Sequence, residues 1–398
     1  MPEVAIVGAG IAGLTLAAAL DRQGLPCTVF EQAAEPAGTG AGVQIAPNAS
    51  RLLHRLGLAR RLREVAVRPV ATEFRRWSDG RLIARTTLGA ECERLYGAPY
   101  YTIHRADLRD ALTSLVGDPV VCFGQRLTGA RDASDHVVLE FTDGSSHQAR
   151  MVVGADGIRS VVRAMLIADQ PVFSGLGVYR GLVPAAAVPE LAVEPAVRLW
   201  LGPGRHLVCY PVSAGRSISF AATAPCQTPG RESWVAEGAA EDLVGAFTGW
   251  SQTVQRLVGC AQSIRHWMLY DRDPLRHLSM SRMALIGDAA HPMLPFGAQG
   301  ANQAIEDAMA LARCLTLGLA RSLGLRGTRL TAEAVRRYET GRAARTARLQ
   351  RQARWNVRGM HLPDGAAQRS RDKALSTGTD LRHLGWLYGY DAEGECLR

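Results

Sequence analysis

Lysine is nearly missing from this chain of 398 residues: of 46 basic side chains, only Lys373 is a lysine. Arginine supplies the rest, and the net charge is +9. The arginines crowd the interval 336–371, which has a helical texture but no regular interleaving of aromatics and no nucleic-acid motif. A solvated helix face or a subunit contact is expected there, not a nucleic-acid partner. Long apolar runs are missing too. None reaches about 18 uncharged residues, so no membrane span is expected. The N-terminal apolar stretch has no basic segment before it and is broken by glycines, so it does not read as a signal peptide. Paired cysteines are the third absence. Cys27, Cys92, Cys122, Cys209, Cys226, Cys260, Cys314 and Cys396 form no C-x-x-C and stand at no metal spacing with histidine. Free thiols, no metal site and a cytoplasmic location are the expectation. There is no internal repeat or low-complexity segment. Hydrophobic and charged contents of 47% and 21% are ordinary for a globular protein, and the length allows two or three domains.

What is present begins with strand–turn–helix–strand. Val4–Val7 is apolar and ends at glycine, as a buried parallel strand does. Ile11–Gln23 has helical spacing and stops at Gly24, and Cys27–Glu31 is a second strand. Asn48–Glu64 and Arg105–Val116 read as helices. Leu82–Thr87, Tyr100–Ile103, Val120–Phe123, Val137–Phe141 and His147–Val153 read as extended. Between about Val172 and Trp267 helical periodicity fades. Val178–Leu182, Val197–Trp200, His206–Pro211 and Ser217–Ala222 alternate instead, as in an antiparallel sheet. Arg282–Gly287 is again a buried strand, Gly300–Leu315 a long apolar helix, and Thr331–Met360 a further helix. The fold class is therefore α/β: a Rossmann-like parallel sheet with an inserted antiparallel sheet lobe and C-terminal helices. The expected divisions are 1–171 and 271–330 for the two parts of the first domain, 172–270 for the lobe, and 331–398 for the helical segment and tail.

Three glycine-acid signatures punctuate this order. In Gly8-Ala9-Gly10-Ile11-Ala12-Gly13 the first glycine permits a tight turn, the second lets a pyrophosphate approach the backbone, and the third lets helix and strand pack closely. The helix N-terminus offers free N–H groups and a positive dipole end to phosphate. Glu31 ends the second strand 18 residues after Gly13, where a carboxylate can accept from an adenosine ribose and disfavours a 2′-phosphate. The second signature is Gly154-Ala155-Asp156-Gly157-Ile158-Arg159-Ser160. The third is Gly287-Asp288-Ala289-Ala290-His291-Pro292, running on into Pro295-Phe296-Gly297-Ala298-Gln299-Gly300-Ala301-Asn302. Asp288 follows a buried strand and can hold the ribityl hydroxyls of a flavin. The first N–H groups of the next helix, from about Gly300, Ala301 and Asn302, can face the flavin's pyrimidine edge. One ligand spanning segments about 280 residues apart accounts for all three signatures, and FAD is long enough.

With these motifs the chain resembles the class A flavoprotein monooxygenases of the para-hydroxybenzoate hydroxylase fold, over nearly its whole length. The nearest resemblance is to the salicylate, 3-hydroxybenzoate and 6-hydroxynicotinate monooxygenases. It rests further on Gly40-Ala41-Gly42-Val43-Gln44-Ile45-Ala46-Pro47-Asn48, on Tyr179-Arg180-Gly181, on His104-Arg105-Ala106-Asp107-Leu108 and on the tail Trp386–Asp391. The resemblance implies non-covalent FAD, NADH or NADPH and molecular oxygen as co-substrates, and oxygen transfer from flavin C(4a) to a small phenolic or heteroaromatic substrate, with no separate nicotinamide-binding domain expected. It implies cofactor contacts at Gly8, Gly10, Ala12, Gly13, Glu31, Gln32, Gln44, Arg105, Leu127, Asp156, Gly157, Gly287, Asp288, Pro295, Gly300, Ala301 and Asn302. A monomer or homodimer is expected. Epoxidation of a quinone or alkene, and an FAD oxidase or dehydrogenase without oxygen insertion, are the alternatives.

The substrate lobe supplies the remaining candidates. His206 and Tyr210 are four apart on an expected strand, so both point to one face with Val208 between them. A histidine there can take a phenolic proton and raise ring electron density. With Gln44 they form the candidate catalytic set; a solvent-facing histidine after Gly202-Pro203-Gly204 and a core tyrosine are the structural alternatives. Tyr179, Arg180, Arg198, Pro295 and Phe296 complete the candidate pocket. Either arginine can pair with a substrate carboxylate or serve a structural ion pair. Where the 6-hydroxynicotinate enzymes carry histidines, this chain has Gln44 and Phe296, and where the 3-hydroxybenzoate enzymes carry glutamine it has Pro295. Their substrates do not transfer to it directly, and Phe296 implies a more apolar pocket.

Overall fold

The structure, a computed structural model, describes residues 4–35, 41–117, 120–133, 135–227, 238–320 and 328–396. Gly40 of the segment Gly40–Asn48, and the last two residues of the chain, lie outside the described residues. Val4–Val7 sits between Met151–Gly154 and Cys27–Phe30, parallel to both, and Met283–Leu285 continues the parallel order. Val121–Cys122 and Ser279–Met280 close the edges of this six-stranded sheet. The strands Val4–Val7 and Met151–Gly154 are buried at every residue, because helices cover both sheet faces. One of these is Ile11–Asp21, in which every residue but the last is buried. The long helix Gly300–Ala320 packs on it, and the arginine-rich helix Thr328–Met360 packs on that one in turn.

A seven-stranded sheet forms the second layer, in the order Gln262–Asp271, Val172–Pro184, Ser217–Pro225, Arg205–Val212, Ala196–Gly202, Ala71–Arg76, Leu82–Thr87. All its pairs are antiparallel except Ala196–Gly202 with Ala71–Arg76. The interval 172–270 therefore supplies five strands, and the chain before residue 172 supplies the other two. One face of this sheet carries a core of Tyr179, Trp200, Leu207, Cys209 and Phe220, covered by the helices Ala240–Ala246 and Gln252–Gly259 through Leu243, Phe247, Trp250 and Leu257. The other face turns toward the six-stranded sheet.

Four expected elements change. His147–Val153 is two strands, Ser146–Ala149 in a three-stranded antiparallel sheet and Met151–Gly154 in the six-stranded one. Asn48–Glu64 is two helices, Pro47–Arg55 and Ala59–Val65. Gly57 breaks them at a φ of 98°, a left-handed position that ends helices and favours glycine. Arg282–Gly287 contracts to the strand Met283–Leu285, and Val120–Phe123 to Val121–Cys122.

A buried ionic cluster joins the helices. Glu306 and Asp307 on the long helix, and Arg342 on the arginine-rich helix, are at most 1% exposed. Arg342 donates to Asp307 Oδ1 at 2.7 Å, to Gln303 Oε1 at 2.6 Å, and to Glu306. Arg345 grips both oxygens of Glu306 at 2.8 and 2.9 Å, and Asn48 Nδ2 donates to the same carboxylate at 2.6 Å. Asp307 Oδ2 accepts from the Gly287 N–H at 2.8 Å and meets His291 Nε2. Burial alone would push both carboxyls up, but Arg342 with Arg345 for Glu306, and His291 with Arg342 for Asp307, hold them below their ordinary values. The tail docks on the same arginines: Arg345 donates to the Trp386 and Leu387 carbonyls and lies 3.7 Å over the Tyr390 ring. Among the described residues no helix is long and apolar enough to cross a membrane, no group of histidine, cysteine and carboxylate side chains is placed to hold a metal, and all eight cysteines are unpaired.

Removing one partner of such a cluster strands a buried charge, at a cost of about 3–5 kcal/mol. Arg342→Leu is expected to lower unfolding stability by that amount in urea titrations. Because the folded carboxyl values are depressed, their stabilisation is complete above the ordinary carboxylate range near pH 4 and fades as pH falls through the lower folded values. The wild type should therefore lose stability steeply below about pH 4, and the variant less steeply.

Candidate active site

Four parallel strands end at one edge, and the residues just beyond them face a common cleft, as ligand-binding loops do in open α/β sheets. Beyond Val4–Val7 come Gly8 to Gly13. Gly8 has a φ of 104° and its N–H donates to the Phe30 carbonyl at 2.8 Å. A Cβ on Gly8 would stand 2.5 Å from the Ala155 carbonyl oxygen, and one on Gly13 would stand 1.9 Å from the Gly8 oxygen. Gly10 meets nothing within 4 Å; its open side faces the cleft. Beyond Cys27–Phe30, Glu31 accepts from the Ala9 N–H through Oε2 and from the Ala33 N–H through Oε1, each at 2.8 Å. That contact fastens the glycine turn to the second strand.

Two cavities adjoin along this edge. One, of about 270 Å³, lies against Ala9, Gly10, Glu31, Ala33, Arg105, Arg109 and Phe123. The other, of about 280 Å³, reaches from Gly10, Ala12 and Arg105 past Gly157 and Asp288 to the seven-stranded sheet. Gly10, Ile11 and Arg105 border both. A ligand with an adenosine end, a diphosphate middle and a ring end fits this sequence of surfaces: a carboxylate, then a glycine turn at a helix N-terminus with Arg105 opposite, then the second cavity. Burial lowers the Arg105 guanidinium and the nearby Asp288 carboxylate opposes that shift. Arg109, one helical turn on from Arg105, borders the first cavity as well, and its i+4 spacing is the signal for it. Gly287 adopts a φ of 59°, and a Cβ on it would touch the Ala12 Cβ at 2.9 Å. That contact explains the small residues at both positions. Asp288 is exposed to the cleft, and the helix Gly300–Ala320 presents Gly300 and Ala301 to it.

The second cavity is walled on its far side by alternate residues of the seven-stranded sheet: Val178 and Arg180, then His206, Val208 and Tyr210, then Ala221 and Thr223, with Trp267 and Leu269 beyond. His206 is 4% exposed, its ring set edge-on to Phe296 at 5.2 Å. Its Nδ1 lies 2.7 Å from Nε2 of His361. Burial, and then His361, hold the His206 imidazole well below its ordinary value, so it is neutral at pH 7. Tyr210 is admitted by Gly42, where a Cβ would fall 2.6 Å from Tyr210 Cε2. Burial raises the Tyr210 phenol, opposed by Arg180 and by a hydrogen bond with Gln44. Gln44 Oε1 also accepts from the Tyr100 hydroxyl at 2.7 Å. Arg180 lies deep in the protein with part of its surface open to the cavity. Its guanidinium stands 5.4 Å over the Trp267 ring, and its Nε has no hydrogen-bond partner. Among the described residues no carboxylate pairs with it.

Several expected contacts fall elsewhere. Tyr179 points away from the cavity and stacks on His266 at 4.0 Å, because neighbours on a strand face opposite sides and Arg180 takes the inner one. Arg198 is spent on Glu73 at 3.3 Å and on the carbonyls of Leu191 and Glu194 at 2.9 Å; it is the structural arginine of the two. The Asp156 carboxylate accepts from Ser160 Oγ at 2.5 Å and the Val161 N–H at 2.7 Å, stapling the start of the helix Val161–Leu166. Gly157, at a φ of 78°, is the member of that pair that lines the cavity. The Asn302 side chain is consumed by the Gln44 and Ala298 carbonyls and the Ala46 N–H. It pins the chain at Gln44–Ala46 and does not line the cleft. Leu127, whose expected contact is through its backbone, turns its side chain into the core, and Gln32 is exposed beyond the second strand; neither borders these two cavities. Pro295 and Phe296 do. His361 and Trp267 had no sequence signal, since nothing in the spacing relates them to His206 or Arg180.

A parallel sheet with a glycine turn and a joined pair of cavities against a substrate-sized sheet pocket defines a flavin-binding enzyme. The model of the FAD binding domain family matches residues 1–353, and the chain belongs to that family. It is 47% identical to the 3-amino-4-hydroxybenzoate 2-monooxygenase of Streptomyces cremeus over 98% of this chain and 95% of the relative. It is 34% identical to the 6-hydroxynicotinate 3-monooxygenase of Pseudomonas fluorescens over 88% of this chain and 90% of the relative. A salicylate hydroxylase solved with its substrate superposes with a TM-score of 0.81 at 28% identity, over 100% of this chain and 97% of that one. The protein is an FAD-dependent aromatic monooxygenase, and such enzymes use molecular oxygen and reduced nicotinamide.

The Gly13 contact gives a test. Overpacking of this kind costs about 1–3 kcal/mol. Gly13→Ala is expected to weaken FAD binding about 5- to 150-fold, read by fluorescence titration of the apoprotein. Unchanged affinity would disconnect the glycine turn from the cofactor.

Proposed function

We propose that this enzyme hydroxylates an aromatic carboxylate bearing a ring hydroxyl, of the 3-amino-4-hydroxybenzoate kind. The observation that carries the reading is Arg180: a deep cation with no carboxylate partner among the described residues, facing the same cavity as His206 and Tyr210. A buried cation without a counter-ion is costly, and a substrate carboxylate supplies one. On the same wall of the cavity, two strands away, neutral His206 can accept the phenolic proton. The electron density left on the ring then favours attack on electrophilic oxygen. Tyr210 and Gln44 fix the substrate's polar edge, and Val208, Phe296 and Trp267 exclude water from its faces. The identity of the substrate in the 47%-identical relative supports the same class.

FAD, when bound, supplies oxygen activation and transfer. The glycine turn with Ala12 and the helix N-terminus would hold its diphosphate, with Arg105 opposite. Glu31 would face the adenosine, Asp288 the ribityl chain, and Gly157, Pro295, Gly300 and Ala301 the ring. The sheet built from 172–270 together with 71–87 serves as the substrate-binding unit in this reading, and residues 1–171 and 271–330 as the cofactor unit. The unpaired cysteines support a cytoplasmic location, and a monomer or homodimer is the working assembly.

Two substitutions separate the roles. Hydrogen bonds to a charged group are worth about 1.5–3 kcal/mol. Arg180→Gln is therefore expected to raise KM for 3-amino-4-hydroxybenzoate roughly 10- to 100-fold, with FAD content unchanged. His206→Ala is expected to lower hydroxylation, followed by product mass, about 100-fold or more, while FAD reduction by NADH or NADPH persists. Undiminished hydroxylation in His206→Ala would remove it as the base.

A further inference from the structure

We propose that His361 is the second member of a two-histidine relay that carries the substrate's phenolic proton out of the cavity through His206. The inference rests on the reading of His206 as the proton acceptor. The contact is direct: His206 Nδ1 and His361 Nε2 are 2.7 Å apart, with ring centroids 5.0 Å apart. Because Nδ1 is committed to His361, Nε2 is the His206 nitrogen left for the cavity.

The pair is held from several directions. His361 follows the last turn of the helix Thr328–Met360, its N–H bonded to the Val357 carbonyl at 3.1 Å. Its own carbonyl accepts from the Gly204 N–H at 3.0 Å, which ties it to the turn just before His206. Three residues on, Asp364 pairs with Arg76 at 3.0 Å and accepts from Trp77 Nε1 at 3.3 Å. Phe296 touches both imidazoles, at 5.2 and 6.1 Å between centroids. His206 is buried and His361 is partly open to solvent.

The proton count fixes the tautomers. For Nε2 of His206 to accept, its Nδ1 must carry hydrogen and donate to His361 Nε2, which leaves the His361 hydrogen on Nδ1. When the phenolic O–H bond breaks, an N–H bond forms at His206 Nε2. The Nδ1 hydrogen passes to His361 Nε2 as the His361 Nδ1 proton leaves to water, so neither ring has to hold the positive charge. His206 changes tautomer and never has to keep a full charge inside the cavity it shares with Arg180. Protonation of the product phenolate through the same two rings in the opposite direction restores the starting tautomers. Burial depresses both imidazoles, that of His361 to about 4, so each is neutral and able to accept at pH 7.

The test uses FAD-loaded enzyme without reduced nicotinamide, so no turnover is needed. 4-Hydroxy-3-nitrobenzoate, whose phenolate is coloured, is mixed rapidly with enzyme in weak buffer containing a pH indicator. Wild type is expected to form bound phenolate and release a proton in the same phase. His361→Gln can still accept a hydrogen bond from His206 but cannot carry a proton. It is expected to bind the probe and retain FAD while releasing the proton at least about tenfold more slowly. His361→Phe should behave alike, and retention of the flavin spectrum in either variant shows that the fold is intact. Wild-type release rates in both variants overturn the relay. If His206→Ala abolishes phenolate formation while the His361 variants alter neither that nor proton release, His206 stands as acceptor and His361 falls. If wild type neither binds nor ionises the probe, the reading beneath the relay falls with it.

Discussion

The guanidinium of Arg342 between Glu306 and Asp307 holds the catalytic half of this molecule together. It joins two helices that meet the site at different points: one presents Gly300 and Ala301 to the cleft, the other delivers His361 to His206. Asp307 reaches further and fixes the Gly287 N–H, so the turn that presents Asp288 is referenced to the same cluster. Arg345 extends it to the tail. Two positive and two negative charges nearly cancel there. A buried group of four ions is tolerable only when each carboxylate oxygen is satisfied, and Asn48, Gln303 and the Gly287 amide supply the remaining contacts.

On the opposite side of the cleft, the geometry is set by strand alternation. Arg180 enters the cavity because Tyr179 cannot, and His206 and Tyr210 enter together because they are four apart on one strand. The strand Gly42–Ile45 lies against them only because Gly42 leaves room for the Tyr210 ring. The apolar surroundings of His206 and the entry of Arg180 into the cavity thus arise from the same pleat.

How far these features could be read from the sequence depended on range. The glycine turn, Asp288 and the Pro295–Gly300 segment are local: their backbone conformations require small residues at fixed offsets, so the residues announce themselves. Asp156 shows the limit of that logic, since a carboxylate beside Gly157 serves equally well as a helix cap, and Ser160 makes it one. Asn302 is similar, drawn into a loop contact 258 residues away. Arg198 was ambiguous because its partner Glu73 is brought alongside by a parallel pairing of distant strands, which no periodicity reports. Gly57 was a visible helix terminator passed over because apolar spacing continued across it. His361 carried no signal at all. It stands 155 residues from His206, and their meeting is a product of how the last long helix lies on the sheet.

The two faces of the seven-stranded sheet have a consequence for how such an enzyme diversifies. Tyr179, Leu207, Cys209 and Phe220 belong to the lobe's own core, whereas Val178, Arg180, Val208, Ala221 and Thr223 look into the pocket. Neighbouring codons therefore answer to different selective pressures. Substitution at every second position can reshape what the pocket accepts while the alternate positions keep the lobe folded. A lineage can drift among aromatic acids by single steps along these strands, with neither the cofactor cleft nor the lobe core having to change at the same time.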